Sequence, residues 1–112
     1  MDILFASAKL RKVCNSRKEA VRRYGPVGGK RLMQRLDDLR AADNLELLRH
    51  LPQARCHELT GNLRGLLSVD LHHPYRLLLR PANEPVPRNP DGGLDWARVT
   101  AVEIVKVEDT HG

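Results

Sequence analysis

Aromatic side chains are nearly missing from this chain: Phe5, Tyr24, Tyr75 and Trp96 are the whole set in 112 residues. A single-strand binder that stacks successive bases needs an aromatic platform, and four scattered rings do not build one. Any nucleic-acid contact then rests on backbone charge and shape. Cysteine is as scarce. Cys14 and Cys56 form no Cys-x-x-Cys pair, which excludes a disulfide scaffold and leaves two free thiols as the expectation. No apolar run approaches the ~18 residues of a membrane span. The opening Met1–Lys9 carries Asp2 and too short an apolar stretch for a secretory signal. The expected compartment is therefore the cytoplasm, with no membrane partner. Gly-x-Gly-x-x-Gly, Walker and Gly-x-Ser-x-Gly patterns are absent as well, so nucleotide-cofactor and serine-hydrolase chemistry have no motif. No cofactor is expected. The histidines at 50, 57, 72, 73 and 111 lack the spacing of a four-ligand zinc site, so no metal is expected either.

What the chain has in excess is arginine: 14 of its 19 basic residues, within a net charge of +5. The surplus is uneven. The first 35 residues hold ten basic side chains against Asp2 and Glu19, a local +8, and the remaining 77 sum to −3. That asymmetry points to a basic face for a polyanion, and the guanidinium fork suits phosphate. Arg22, Arg23, Lys30, Arg31 and Arg35 are the expected RNA or ribosome contacts, joined by Arg80 from the second half. A solvated helix surface is the plain alternative.

The length fits one domain, residues 1–112. The first half has helical spacing. Ser7 is placed to cap a turn or two around Leu10 and Val13. Ser16 and Glu19 stand at the capping-box spacing of a second short helix. Tyr24-Gly25-Pro26 breaks the pattern and Gly28-Gly29 adds freedom. From Lys30, Leu32, Leu36 and Leu39 form a stripe. Asn44 is placed to cap a short helix with Leu45, Leu48 and Leu51, stopped by Pro52. The second half changes period. Leu67, Val69 and Leu71 alternate with Leu66, Ser68 and Asp70, His72-His73-Pro74 reverses the chain, and Tyr75 to Arg80 returns it as a hairpin. A proline-rich loop of roughly fifteen residues follows. Arg98 to Val107, apolar on both faces, is expected as a strand inside the sheet. The expected fold class is α+β, with N-terminal helices packed on one face of a small, mainly antiparallel sheet. Arg76 and Arg80 are expected on the open face.

His57, Arg64, Arg76, Arg80, Asp109 and His111 fall at the edges of that sheet and are expected to converge. Metal-free RNA cleavage needs a base for the 2′-hydroxyl, cations for the phosphorane and an acid for the leaving oxygen. Histidine and arginine fill those roles. The segment Cys56-His57-Glu58-Leu59-Thr60-Gly61-Asn62-Leu63-Arg64-Gly65-Leu66-Leu67-Ser68-Val69 resembles the His-x-Leu-x-Gly-x-x-x-Gly-x-x-Ser stretch of HigB toxins, members of the RelE/ParE superfamily of toxin–antitoxin systems. Pro74-Tyr75-Arg76-Leu77 resembles their Asn-Trp-Arg-Ile, and Val107-Glu108-Asp109-Thr110-His111 resembles their Tyr-Glu-Asp-Tyr-His ending.

The resemblance covers nearly the whole chain and implies a RelE-like fold and a ribosome-dependent mRNA endonuclease that cuts in the A site by 2′-hydroxyl attack. It implies a cognate helix-turn-helix antitoxin of HigA type, with operator DNA reached only through that antitoxin. His57, Arg76, Asp109 and His111 match position by position. Thr60 stands where many HigB toxins have lysine, and Thr110 where they have tyrosine. Threonine supplies neither a cation nor a stacking ring, and Arg64 is the substitute charge. A second function class is a non-catalytic relative that inhibits a protein such as gyrase, as ParE relatives do. A third, a DNA-binding module, is disfavoured because Gly25-Pro26 and Gly28-Gly29 interrupt the basic region.

Overall fold

Helical spacing in the first half and alternation in the second are both realised in the computed structural model, which describes residues 1–111. Ser7 and Ser16 cap α1 (Ala8–Cys14) and α2 (Arg17–Ala41). Each hydroxyl accepts from a backbone N–H three residues on, Leu10 at 3.1 Å and Glu19 at 3.2 Å. The two helices expected on either side of Gly25 are the limbs of α2. Gly25 leaves the helical region at φ 80°, ψ 169°, a conformation glycine adopts without steric cost. The turn is sharp. A Cβ on Gly29 would stand 2.6 Å from the Val21 nitrogen, yet a straight helix separates residues eight apart by ~12 Å. Gly28-Gly29, read in the sequence as added freedom, is buried helix that lets the two limbs pack.

Asn44 accepts from the Leu47 N–H at 3.3 Å ahead of α3 (Glu46–Arg49). Five strands follow from the rest: β1 (Asp2–Phe5), β2 (His57–Glu58), β3 (Leu67–Asp70), β4 (Tyr75–Pro81) and β5 (Ala101–Asp109), ordered β1-β5-β4-β3-β2. The β3–β4 hairpin and the interior position of β5 agree with the sequence pattern. Three features do not. Ile3-Leu4-Phe5 is a strand, parallel to β5, with Phe5 opposite Ile104, so the sheet is mixed. His57–Glu58 is a short edge strand rather than loop. The last strand starts at Ala101 instead of Arg98, because Trp96–Arg98 forms a 3-10 turn that buries Trp96. That ring fixes the long loop: its Nε1–H donates to Glu58 Oε2 at 3.1 Å, and the Arg49 guanidinium lies 3.9 Å over it.

The architecture is α+β, with the helices on one face of the sheet. Leu32, Leu36 and Leu39 of α2 are fully buried in one cluster with Val69, Leu77, Leu79, Val102 and Ile104. Burial of each such side chain contributes about 1.5–3 kcal/mol. Arg35 shares that helix face and is also buried, 2% exposed. Its Nε donates to Asp70 O at 3.1 Å, one terminal nitrogen to Gln53 O at 3.3 Å and the other pairs with Asp38 at 3.1 Å. Arg35 is thus no part of a polyanion face; it ties α2 to the end of β3 and to the turn before β2. Among the described residues no helix is long and apolar enough to cross a membrane.

Candidate functional site

Strand alternation puts Arg76, Leu78 and Arg80 of β4 on the face away from the helices. The register extends that face in three rows. Arg80 stands opposite Glu103 of β5. Leu78 stands between Lys106 of β5 and Ser68 of β3, and Ser68 is opposite His57 of β2. Arg76 stands between Glu108 and Asp70. Carboxylates hold the arginines in place: Arg76 Nε meets Glu108 Oε2 at 2.5 Å, Arg80 pairs with Glu103, and Arg55 reaches Asp70 at 3.5 Å. Glu108, Arg76, Asp70 and Arg55 therefore make one row of alternating charge across the sheet.

His57 is exposed at the end of the middle row, and its Nδ1 lies 2.8 Å from the Arg55 carbonyl oxygen. A carbonyl only accepts, so the neutral ring carries its proton on Nδ1 and presents a lone pair on Nε2, the form a general base needs. Arg55 reaches this position in the left-handed region, φ 44°, ψ 49°, at a cost of about 1–3 kcal/mol for a non-glycine residue. Ser68, facing His57, is buried with no hydrogen-bond partner for its hydroxyl among the described residues.

The tail is built separately. Thr110 donates twice to Pro74 O, from its N–H at 2.9 Å and its hydroxyl at 2.8 Å. Asp109 Oδ1 accepts the His111 N–H at 2.9 Å. The His111 ring meets His73, Nε2 to Nε2 at 2.8 Å, with the ring planes at 86°. One Nε2 must donate and the other accept, so the pair holds a proton donor and a proton acceptor side by side. Protonation of both rings removes the lone pair and breaks the bond. His73 is the functional candidate that sequence reasoning missed; only its place as the second of two adjacent histidines in a turn marked it. Asp109 fixes the backbone of His111 instead of its ring, which His73 orients.

The expected cluster is only partly assembled. His57 stands opposite Ser68 within β3, whereas His73 lies in the turn beyond the end of that strand, so His57 and the His73–His111 pair are two stations and not one. Arg64 follows the 3-10 turn Gly61–Leu63 and is exposed, with no ion pair among the described residues; Thr60 precedes that turn. Of the basic third, Arg22 is held by Glu19 at 2.7 Å. Arg23 and Lys30 are exposed and Arg31 half-buried.

No family model, curated protein or solved structure matches the chain.

The site is therefore read from its own chemistry. Among the described residues no group of three or more His, Cys, Asp or Glu side chains is gathered to hold a metal ion. Burial pushes the Cys14 thiol up to about 11 and the Cys56 thiol to about 12. Both stay protonated at neutral pH and are poor nucleophiles. The exposed surface carries imidazole and guanidinium groups, which can exchange protons and bind anions.

Proposed function

We propose that this chain is a HigB-type toxin of the RelE/ParE superfamily, a cytoplasmic, ribosome-dependent mRNA endonuclease held in check by a HigA-type helix-turn-helix antitoxin. The observation that carries the reading is the His73–His111 pair, fixed in place beyond the Arg76–Glu108 row. The order of helices, hairpin, long loop and last strand supports it, as does the His57-to-Ser68 segment. In this mechanism the rings part to take the phosphodiester between them. One lone pair accepts the 2′-hydroxyl proton, and the 2′-oxygen bonds to phosphorus. The P–O5′ bond breaks, and the other ring, protonated as an imidazolium, gives its proton to the leaving 5′-oxygen and becomes neutral. The products are a 2′,3′-cyclic phosphate and a 5′-hydroxyl. Arg76 exchanges Glu108 for the developing phosphorane charge, while His57 and Arg64 hold the message at the other end of the face.

The test is cleavage of a defined message on programmed ribosomes, with 5′-end mapping of cellular mRNA after brief induction. His111→Ala and His73→Ala should each lower cutting by about 10²–10⁴-fold while the domain stays folded. Full cutting by either folded variant refutes the acid–base pair. One observation favours the second reading, a non-catalytic inhibitor of a protein such as gyrase: Arg76 and Arg80 are already neutralised by Glu108 and Glu103. Growth arrest by a wild type that cuts no message at any codon would decide for it.

A further inference from the structure

β5 outruns its parallel neighbour. β1 pairs only with Ala101 to Ile104, so Val105, Lys106 and Val107 have no strand beside them on that side. The start of α1 and the last turn before the α2 bend close over this gap and leave a concavity of about 200 Å³. Lys9 of α1 and Arg23 of α2 line it from the helix side, Lys106 lines it at the unpaired edge of β5 from its open-face position beside Leu78, and no carboxylate lines it among the described residues. None of the three cations makes an ion pair among the described residues. Elsewhere on this protein Arg22, Arg40, Arg49, Arg76 and Arg80 are each met by a carboxylate. Three cations from three separate elements thus surround one hollow with no carboxylate to neutralise them among the described residues, the arrangement an anion would complete.

We propose that this concavity binds the phosphate group of a nucleotide, held between Lys9, Arg23 and Lys106. The remaining wall fits the same chemistry. Tyr24 contributes a phenol whose pKa is raised by burial, against the smaller opposing pull of Arg23, so its hydroxyl keeps its proton and can donate. Leu10 and Val107 offer apolar surface to the carbons of an adjoining sugar. The volume lies below the ~300–1,000 Å³ of sites for drug-sized ligands, which fits one phosphate with its sugar. Neither His73 nor His111 lines it, and its binding can be tested without cleavage. Two sources supply this chemistry, a free 5′-mononucleotide and the backbone of an RNA strand.

The experiment follows backbone amide resonances of the full chain during titration with inorganic phosphate, adenosine, adenosine 5′-monophosphate and an eight-residue oligouridylate. The monophosphate should shift residues around Ser7, Arg23 and Lys106, and adenosine should not. Oligouridylate binding at the same residues at least tenfold more tightly identifies RNA as the source; preference for the monophosphate identifies a free nucleotide. Arg23→Gln with Lys106→Gln should weaken binding by about tenfold or more, since charge-assisted bonds are lost. All three side chains are exposed, so the fold should survive. Arg17→Gln with Lys18→Gln removes the same charge elsewhere and should cost far less. Equal losses in the two double variants, shifts spread over the whole basic third, or equal binding of adenosine would overturn the site.

Discussion

Replacing Arg35 by methionine isolates the donor function of this buried side chain, because the aliphatic stem is nearly conserved and the guanidinium is lost. Three acceptors lose a partner: Asp70 O, Gln53 O and the Asp38 carboxylate. A hydrogen bond to a charged group contributes about 1.5–3 kcal/mol, and removing one partner of a buried pair costs about 3–5 kcal/mol. Asp38 is 25% exposed and can rehydrate, and Gln53 lies at the surface, so the lower end applies, about 3 kcal/mol. That is a large share of the 5–15 kcal/mol typical of a domain and corresponds to a Tm fall of roughly 10–20 °C. Arg35→Lys retains one charge without the planar fork and should lose about half as much. Urea unfolding followed by circular dichroism measures both, with Lys30→Gln as an exposed control expected within about 0.5 kcal/mol of wild type. Near-native stability of Arg35→Met together with a tenfold loss of ribosome binding would refute this reasoning and return Arg35 to the polyanion face.

Alkaline stability tests the buried thiol. The Cys14 pKa is raised from 9.0 to about 11 by burial, with Arg40 pulling the other way. Its contribution is therefore complete below pH ~9, where the unfolded thiol is still protonated, and is lost as pH rises towards 11. About 2–3 kcal/mol should vanish across that window, and Cys14→Ala should flatten the slope in urea titrations at pH 8 and pH 10.5. Glu108→Gln frees Arg76. Affinity for single-stranded RNA should then rise by about fivefold, the equivalent of ~1 kcal/mol, and the salt slope should steepen by ~0.7 for one added phosphate contact; filter binding across a salt series reads both, and weaker binding would contradict the charge-exchange role.

Legibility in the sequence followed the range of the interactions. The β3–β4 hairpin was readable because its alternation and its turn are local, and β5 announced an interior position by being apolar on both faces. β1 was not. It has four residues, begins with Asp2, and pairs with a strand about a hundred residues later, so nothing nearby marks it. Gly29 was misread because close approach of two limbs and simple looseness call for the same residue. Arg35 had a readable signal, since it sits at helical spacing from Leu32 and Leu39 on the buried stripe. Counted only as charge, it joined the wrong surface. Of the candidate site, Arg76 and Arg80 fell on the expected open face. The partner of His111 was hidden, because a turn histidine and a tail histidine meet only once the β4–β5 ladder has formed.

The position of β5 also governs when the molecule comes into being. The strand that holds β1 and β4 together is the last in chain order. While the polypeptide emerges, β1 has no partner and the helices have only half a sheet to cover. Local helix formation and the β3–β4 hairpin can proceed early, but the long-range closures wait, as in other folds rich in distant contacts. The row from Glu108 to Arg55 and the pairing of His73 with His111 both need β5 seated. An incomplete chain on the ribosome that makes it thus carries neither the charged face nor the paired imidazoles. Both features come into being only once β5 and His111 have been made and seated.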